Sequence, residues 1–99
     1  MKIEGFDWDE HNREKCGEHG VTAAEIESLF DGALRIKPDL AHADSEERFH
    51  GIGKSADGRH LFLVFTLRTF GGARMIRPIS ARYMHLKEVM RYEEDTPTS

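Results

Sequence analysis

The sequence predicts an α+β fold: two N-terminal helices, an antiparallel sheet of about four strands, and a C-terminal helix, with the helices packed on one face of the sheet. Three observations predict it. Apolar residues recur at helical spacing before residue 31 and again after residue 82. Between them the period shortens to that of strands. Asp-Gly and Gly-Gly pairs punctuate the middle of the chain.

Asp9 is suited to cap a mostly polar helix over 10–18, and Gly20 is placed to end it. Thr22 and Glu25 have the spacing of a capping box, and Val21 and Ile26 that of a hydrophobic staple. Ile26, Leu29 and Phe30 then share one face of a second helix, which stops at Asp31-Gly32. Residues 33–37 read as a short strand, 38–45 as a loop, and 47–54 as a strand interrupted by Gly51 and Gly53. Asp57-Gly58 is a hairpin signal. Residues 59–69 follow, with Leu61 to Phe65 apolar on both faces, the pattern of a central strand. Gly71-Gly72 is the next turn and 73–80 the last strand. Pro78 cannot donate to a ladder, so that strand is at an edge or bulged near its end. A closing helix is expected over 83–92, with Tyr83, Leu86, Val89 and Met90 on its apolar face. Residues 93–99 are polar, hold Pro97 and are expected to fray, so the reading is one domain over 1–94 and a flexible tail over 95–99.

The chain's 99 residues leave no room for a second core. The single cysteine, Cys16, excludes an internal disulfide and suits a reducing compartment, so a cytoplasmic location is expected. The first residues lack the apolar core of a signal peptide, and the longest apolar run, Leu61 to Phe65, is too short to span a bilayer. No membrane association is expected.

The net charge of −4 conceals a polarised chain. Residues 1–50 hold 6 Lys/Arg against 13 Asp/Glu, whereas residues 51–92 hold 8 Lys/Arg against Asp57 and Glu88 alone. A basic second half suits a phosphate backbone or an acidic partner protein. No nucleotide-binding Gly-rich loop, nucleophile elbow or zincin motif is present. His11, Cys16 and His19 match no standard zinc spacing, so neither metal nor cofactor is expected.

A series of short motifs runs in order through the chain. Phe6, Trp8 and Asp9 come first, then Asn12, Lys15 and His19-Gly20-Val21. Glu46-Glu47-Arg48-Phe49 leads into Ile52-Gly53, and the apolar strand Leu61 to Thr66 follows. The last block is Ile76, Arg77 and Ile79 to Arg82, ahead of Glu88 and Tyr92-Glu93. In this series the chain resembles the BrnT family of toxins from bacterial type II toxin–antitoxin pairs. The resemblance implies a RelE-like fold, a metal-independent endoribonuclease, and a cognate BrnA-like, DNA-binding antitoxin. The implied assembly is a homodimer or a toxin–antitoxin hetero-oligomer. Two departures stand out: Asp9 precedes Glu10 where the family often has Asp-Pro, and Tyr83-Met84-His85 follows Arg82 where the family has a basic run.

Cleaving RNA without a metal takes a base for the 2′-hydroxyl proton, cations for the phosphate, and an acid for the leaving 5′-oxygen. Arg48, Arg77 and Arg82 are the candidate phosphate clamps, because a guanidinium meets two oxygens at once and stays charged. Their alternative role is to pair with Glu46, Glu47 or Glu88 and tie the sheet to a helix. His19 and His85 are candidate acids or bases. A histidine before a helix-ending glycine also serves simply to meet the last carbonyls, and His19 has that position. Lys15, Arg74 and Lys87 are candidate RNA contacts. Glu47 is a further possible base, or else the partner of an arginine. Phe6 and Trp8 either stack on a base or pack in the core, and a domain this small needs its aromatics inside. The alternative function is a non-catalytic family member acting as a protein- or RNA-binding module. A DNA-binding role for the two N-terminal helices fits poorly with Glu10, Glu14, Glu18, Glu25 and Glu27.

Overall fold

A computed structural model describes residues 3–39 and 47–95. The chain forms β1 (Gly5–Phe6), α1 (Glu10–Gly17), α2 (Ala23–Leu29), β2 (Arg35–Pro38), β3 (Arg48–Lys54), β4 (His60–Phe70), β5 (Ala73–Tyr83) and α3 (Leu86–Asp95). The strands make one mixed sheet in the order β1-β5-β4-β3-β2. The expected four antiparallel strands become five, because Gly5 and Phe6 pair parallel to Met75 and Ile76 on β5. Glu4 N–H donates to the Arg74 carbonyl at 2.8 Å and Asp7 N–H to the Ile76 carbonyl at 2.7 Å. Two residues carry too little periodicity to announce a strand; the edge that β5 offers makes one of them.

Both N-terminal helices start as their caps dictate. The Asp9 carboxylate accepts from Asn12 N–H at 2.8 Å while Asn12 Oδ1 accepts from Asp9 N–H at 2.7 Å. Thr22 and Glu25 make the same reciprocal box. Ile26 and Leu29 are buried, and an aromatic line runs from Phe6 through Phe30 and Phe65 to Phe49, with ring centroids 5.2, 5.6 and 5.5 Å apart. Phe6 and Trp8 therefore turn to the core, and Trp8 Nε1–H donates to Glu27 Oε2 at 2.8 Å. Cys16 is buried in the same core, and burial pushes its thiol up to about 11.

The β4–β5 hairpin turns on Gly71 and Gly72, whose φ of 54° and 86° are what a two-residue hairpin needs and side chains resist. Within β5, Pro78 is buried and opposite Phe65, while Ser80 is opposite Val64, so Ile79 is the extra residue of a bulge. Of the two readings for Pro78, the bulge holds. Its carbonyl accepts from the buried Asn12 Nδ2 at 2.9 Å.

Two expectations are corrected at the C-terminal end. The last strand runs to Tyr83, not to residue 80, and α3 starts at Leu86. Tyr83 is thus a strand residue on the α1–α2 side, where its hydroxyl donates to Glu25 Oε1 at 2.7 Å and Arg59 stacks 3.5 Å from its ring centroid. The helical spacing of Tyr83 to Leu86 and Met90 is coincidental: Leu86 is 75% and Met90 54% exposed. Nor do all helices share one face. Leu61, Leu63, Phe65 and Ala81 face α1 and α2, whereas α3 meets the other face, its Tyr92 ring 6.1 Å from His60. The helix continues through Asp95, so Glu93 and Glu94 are helical where fraying was expected; positions 96–99 lie outside the described residues. No helix among the described residues is long and apolar enough to cross a membrane.

Candidate functional site

None of β2, β3, β4 or β5 holds an Asp or Glu. Strand alternation then sorts their cations. Buried Leu61, Leu63 and Phe65 define the core-facing parity of β4, and the registers carry that parity to its neighbours. On the opposite, open face lie Arg35 and Lys37 of β2, Arg48, His50 and Lys54 of β3, His60 and Arg68 of β4, and Arg77 and Arg82 of β5. Seven of the eight Lys/Arg in these strands share this face; Arg74 is the exception. The Ile79 bulge is essential to this grouping. Arg77 and Arg82 are five residues apart, so an unbroken strand would send them to opposite faces. The extra residue restores them to one, Arg77 opposite Thr66 and Arg82 opposite Phe62.

The α3 helix roofs one end of the open face and leaves a groove of about 470 Å³. Arg35, Lys37, His50, Ile52 and Phe62 form its floor, and Lys87, Glu88, Arg91 and Tyr92 come from the helix. A second cleft of about 170 Å³ on the core side is lined by apolar residues only, among them Phe30, Phe49 and Ile76. Of these two, the larger groove is the one lined by ionisable groups able to exchange protons or meet an anion.

The arginines are already engaged within the chain. Arg82 donates through Nη1 and Nη2 to the two carboxylate oxygens of Glu88 at 2.8 and 2.9 Å. This fork-to-fork pair, helped by the His85 N–H at 2.9 Å, holds the Glu88 carboxyl down to about 2. The same hydrogen bond raises the Arg82 guanidinium. Arg82 also lies 5.0 Å from the Phe62 ring centroid. Arg77 reaches Asp7 Oδ2 at 3.2 Å and Asp9 Oδ2 at 2.6 Å. The backbone N–H of Asn12 and then Arg77 lower the Asp9 carboxyl. Of the acids considered as arginine partners, Glu88 pairs with Arg82, Arg77 uses Asp7 and Asp9 instead, and Glu46 lies outside the described residues. Arg48 projects on the same open face, opposite Thr66.

The remaining sequence candidates are dispersed. Lys87 lines the groove. His85 is exposed at the start of α3, where its carbonyl accepts from Val89 N–H at 3.0 Å. Lys15 and His19 are exposed on the α1–α2 layer, across the sheet from the groove, and Arg74 sits at the hairpin with core-side parity. His11, Cys16 and His19 do not converge into a metal-binding group, nor does any other set among the described residues.

Two groove residues, His50 and Phe62, and the carboxylate beside them, Asp39, escaped the sequence reading. His50 Nε2 is 3.1 Å from Asp39 Oδ2, and the His50 and Phe62 rings are 5.0 Å apart. Alternation along 48–54 places Arg48 and His50 on one face and was available in the sequence. The Asp39 contact was not, because it depends on the β2–β3 register that pairs Lys37 with His50.

Comparison with curated proteins finds no match. The family model described as ribonuclease toxin, BrnT, of type II toxin–antitoxin systems matches residues 8–88, a stretch that spans both N-terminal helices, the four long strands and the start of α3. The chain belongs to the BrnT family of type II toxin–antitoxin ribonuclease toxins.

Proposed function

We propose that this chain is a metal-independent endoribonuclease on a RelE-like scaffold, acting in the cytoplasm and neutralised by a cognate BrnA-like antitoxin. The observation that carries the reading is the one-sided sheet: seven of eight strand Lys/Arg on the open face, no acid in the same strands, and a groove at the end where Arg82 lies. A phosphate backbone laid across that face meets cations from four strands. Lys87 lines the groove, Arg82 borders it through its contacts with Glu88 and Phe62, and Arg77 and Arg48 extend the track beyond it. In this reading RNA phosphate competes with the Glu88 carboxylate for the Arg82 fork, and the antitoxin keeps RNA from the same face.

The test is cleavage of single-stranded RNA by purified protein in EDTA. Arg82→Ala is expected to reduce cleavage by 10²-fold or more, the usual loss on removing one oxyanion donor. Urea unfolding of the variant checks that it is folded. Undiminished cutting by folded Arg82→Ala removes that arginine from the site. Expression without antitoxin is expected to arrest growth, and unimpeded growth counts against the toxin role.

One observation favours the second reading, a non-catalytic binding module. Both Arg77 and Arg82 are satisfied by carboxylates of the same chain. A stable complex with a partner protein, combined with no RNA cleavage, selects it.

A further inference from the structure

Among the described histidines, His50 has the shortest contact with a carboxylate. Its Nε2 lies 3.1 Å from Asp39 Oδ2, at ion-pair distance from that carboxylate. Asp39 is itself fixed: its side chain is 8% exposed, and its backbone N–H donates to the Arg48 carbonyl at 2.8 Å. One flank of the imidazole rests on Phe62, which carries Arg82 at 5.0 Å from its centroid. The His50 side chain is nevertheless 36% exposed and forms part of the groove floor. A carboxylate beside one ring nitrogen favours the proton on that nitrogen and leaves the other as a lone-pair acceptor.

We propose that His50 is the proton acceptor for the 2′-hydroxyl of RNA bound in this groove, with Asp39 as its positioning residue; this rests on the ribonuclease reading above. The proton of the 2′-hydroxyl passes to His50 Nδ1 as the 2′-oxygen bonds to phosphorus. The bond from phosphorus to the 5′-oxygen breaks, and that oxygen takes a proton from a groove water. The imidazolium then neutralises the hydroxide left behind. The products are a 2′,3′-cyclic phosphate and a 5′-hydroxyl, and nothing is oxidised or reduced.

The surroundings suit the chemistry. On β2, Lys37 is the register partner of His50 and Arg35 lies two residues away on the same face. On β3, Arg48 and Lys54 share its parity, and β4 contributes Phe62 with His60 beyond it. On β5, Arg82 lies across Phe62. From α3, Lys87 and Arg91 bring positive charge and Glu88 the negative charge that Arg82 already holds. Among the described residues, the acids on this side are Asp39, Glu88 and, farther along α3 at His60, Glu93, and the other charged groups around the imidazole are cations, so phosphate and base meet in one place.

The test is the pH dependence of kcat/KM for RNA cleavage in EDTA, from pH 5 to 8. Wild-type protein is expected to show an acid limb, since a base works only when unprotonated. His50→Gln is expected to lose 10²-fold or more in kcat with KM changed less than threefold, and to lose the acid limb. Asp39→Asn keeps the limb and lowers kcat with KM changed less than threefold, because the base remains and only its positioning is lost. Arg82→Ala slows cleavage and keeps the limb. A flat wild-type profile overturns the assignment without any variant. So does folded His50→Gln that cuts within threefold of wild type or retains the limb. Wild type that cuts no RNA overturns the ribonuclease reading itself, so the two failures are told apart.

Discussion

Replacing Asn12 tests how the bulged strand is held to α1. The side chain is 3% exposed and joins three backbone groups: Nδ2 donates to the Asp7 carbonyl at 3.0 Å and the Pro78 carbonyl at 2.9 Å, and Oδ1 accepts from Asp9 N–H at 2.7 Å. Asn12→Ala deletes all three. The Pro78 carbonyl is buried against α1, and leaving it unmet costs about 1–3 kcal/mol. The Asp7 and Asp9 groups are partly solvated and re-bond to water, at roughly 0.5 kcal/mol each. The expected loss is about 3 kcal/mol, a large fraction of the ~5–15 kcal/mol typical of a domain. At ~4–8 °C per kcal/mol for a chain of this size, Tm is expected to fall by about 12–24 °C. Urea unfolding followed by circular dichroism and by Trp8 fluorescence gives the number directly, with an unchanged denaturant slope showing that stability alone moved. Asn12→Asp sharpens the test. Its second oxygen would face two carbonyls, so burial and those oxygens raise the introduced carboxyl's folded pKa above the unfolded value. Its stability is therefore greatest below the unfolded pKa, about 3.9, and declines as pH rises through the folded value. An Asn12→Ala loss under about 1 kcal/mol, or an Asn12→Asp variant indifferent to pH, would refute the account.

Further predictions concern the pair, the core and the thiol. The Glu88 carboxyl, held to about 2 by Arg82, contributes stability that is full above its unfolded value near 4.5 and is lost as pH falls through about 2. Urea midpoints should fall less between pH 5 and pH 2.5 in Glu88→Gln than in wild type; equal falls remove the pair from the stability balance. Gly53→Ala places a Cβ 3.1 Å from Leu34 Cδ1 and 3.5 Å from Leu29 Cδ2, so it should cost about 1–3 kcal/mol by overpacking, read by urea unfolding, and a neutral result would show that Leu34 yields freely. Cys16, buried and pushed up to about 11, should react with a disulfide reagent at pH 8 only as fast as the fold opens, and addition of urea should speed the reaction steeply.

The parts of the fold visible in the sequence are those set by neighbours along the chain. Asp9 and Thr22 cap their helices because the partners, Asn12 and Glu25, are three residues away. Gly58, Gly71 and Gly72 make their turns because a positive φ is a local property of the residue. The apolar run at 61–65 announces a central strand for the same kind of reason. Tyr83 failed because its helical spacing to Leu86 and Met90 is a local pattern that β5 overrides: strand pairing to Leu61 and the Glu25 hydrogen bond hold it on the sheet. The first strand escaped notice because it is too short to show a period and exists only as an edge added to β5.

The site divides along the same line. The sequence by itself determined that the second half of the chain is basic, that Arg77 and Arg82 sit in the last strand and its exit, and that six short motifs run in the BrnT order. Tertiary structure alone decided which cations share a face. The bulge at Ile79 turns Arg77 and Arg82 to one face, and the β2–β3 register adds Arg35 and Lys37 from the acidic half and sets Asp39 on His50. The physical reason is that face and register are properties of paired strands. A one-residue slip sends every side chain to the opposite side, and no local spacing records which slip the fold has taken.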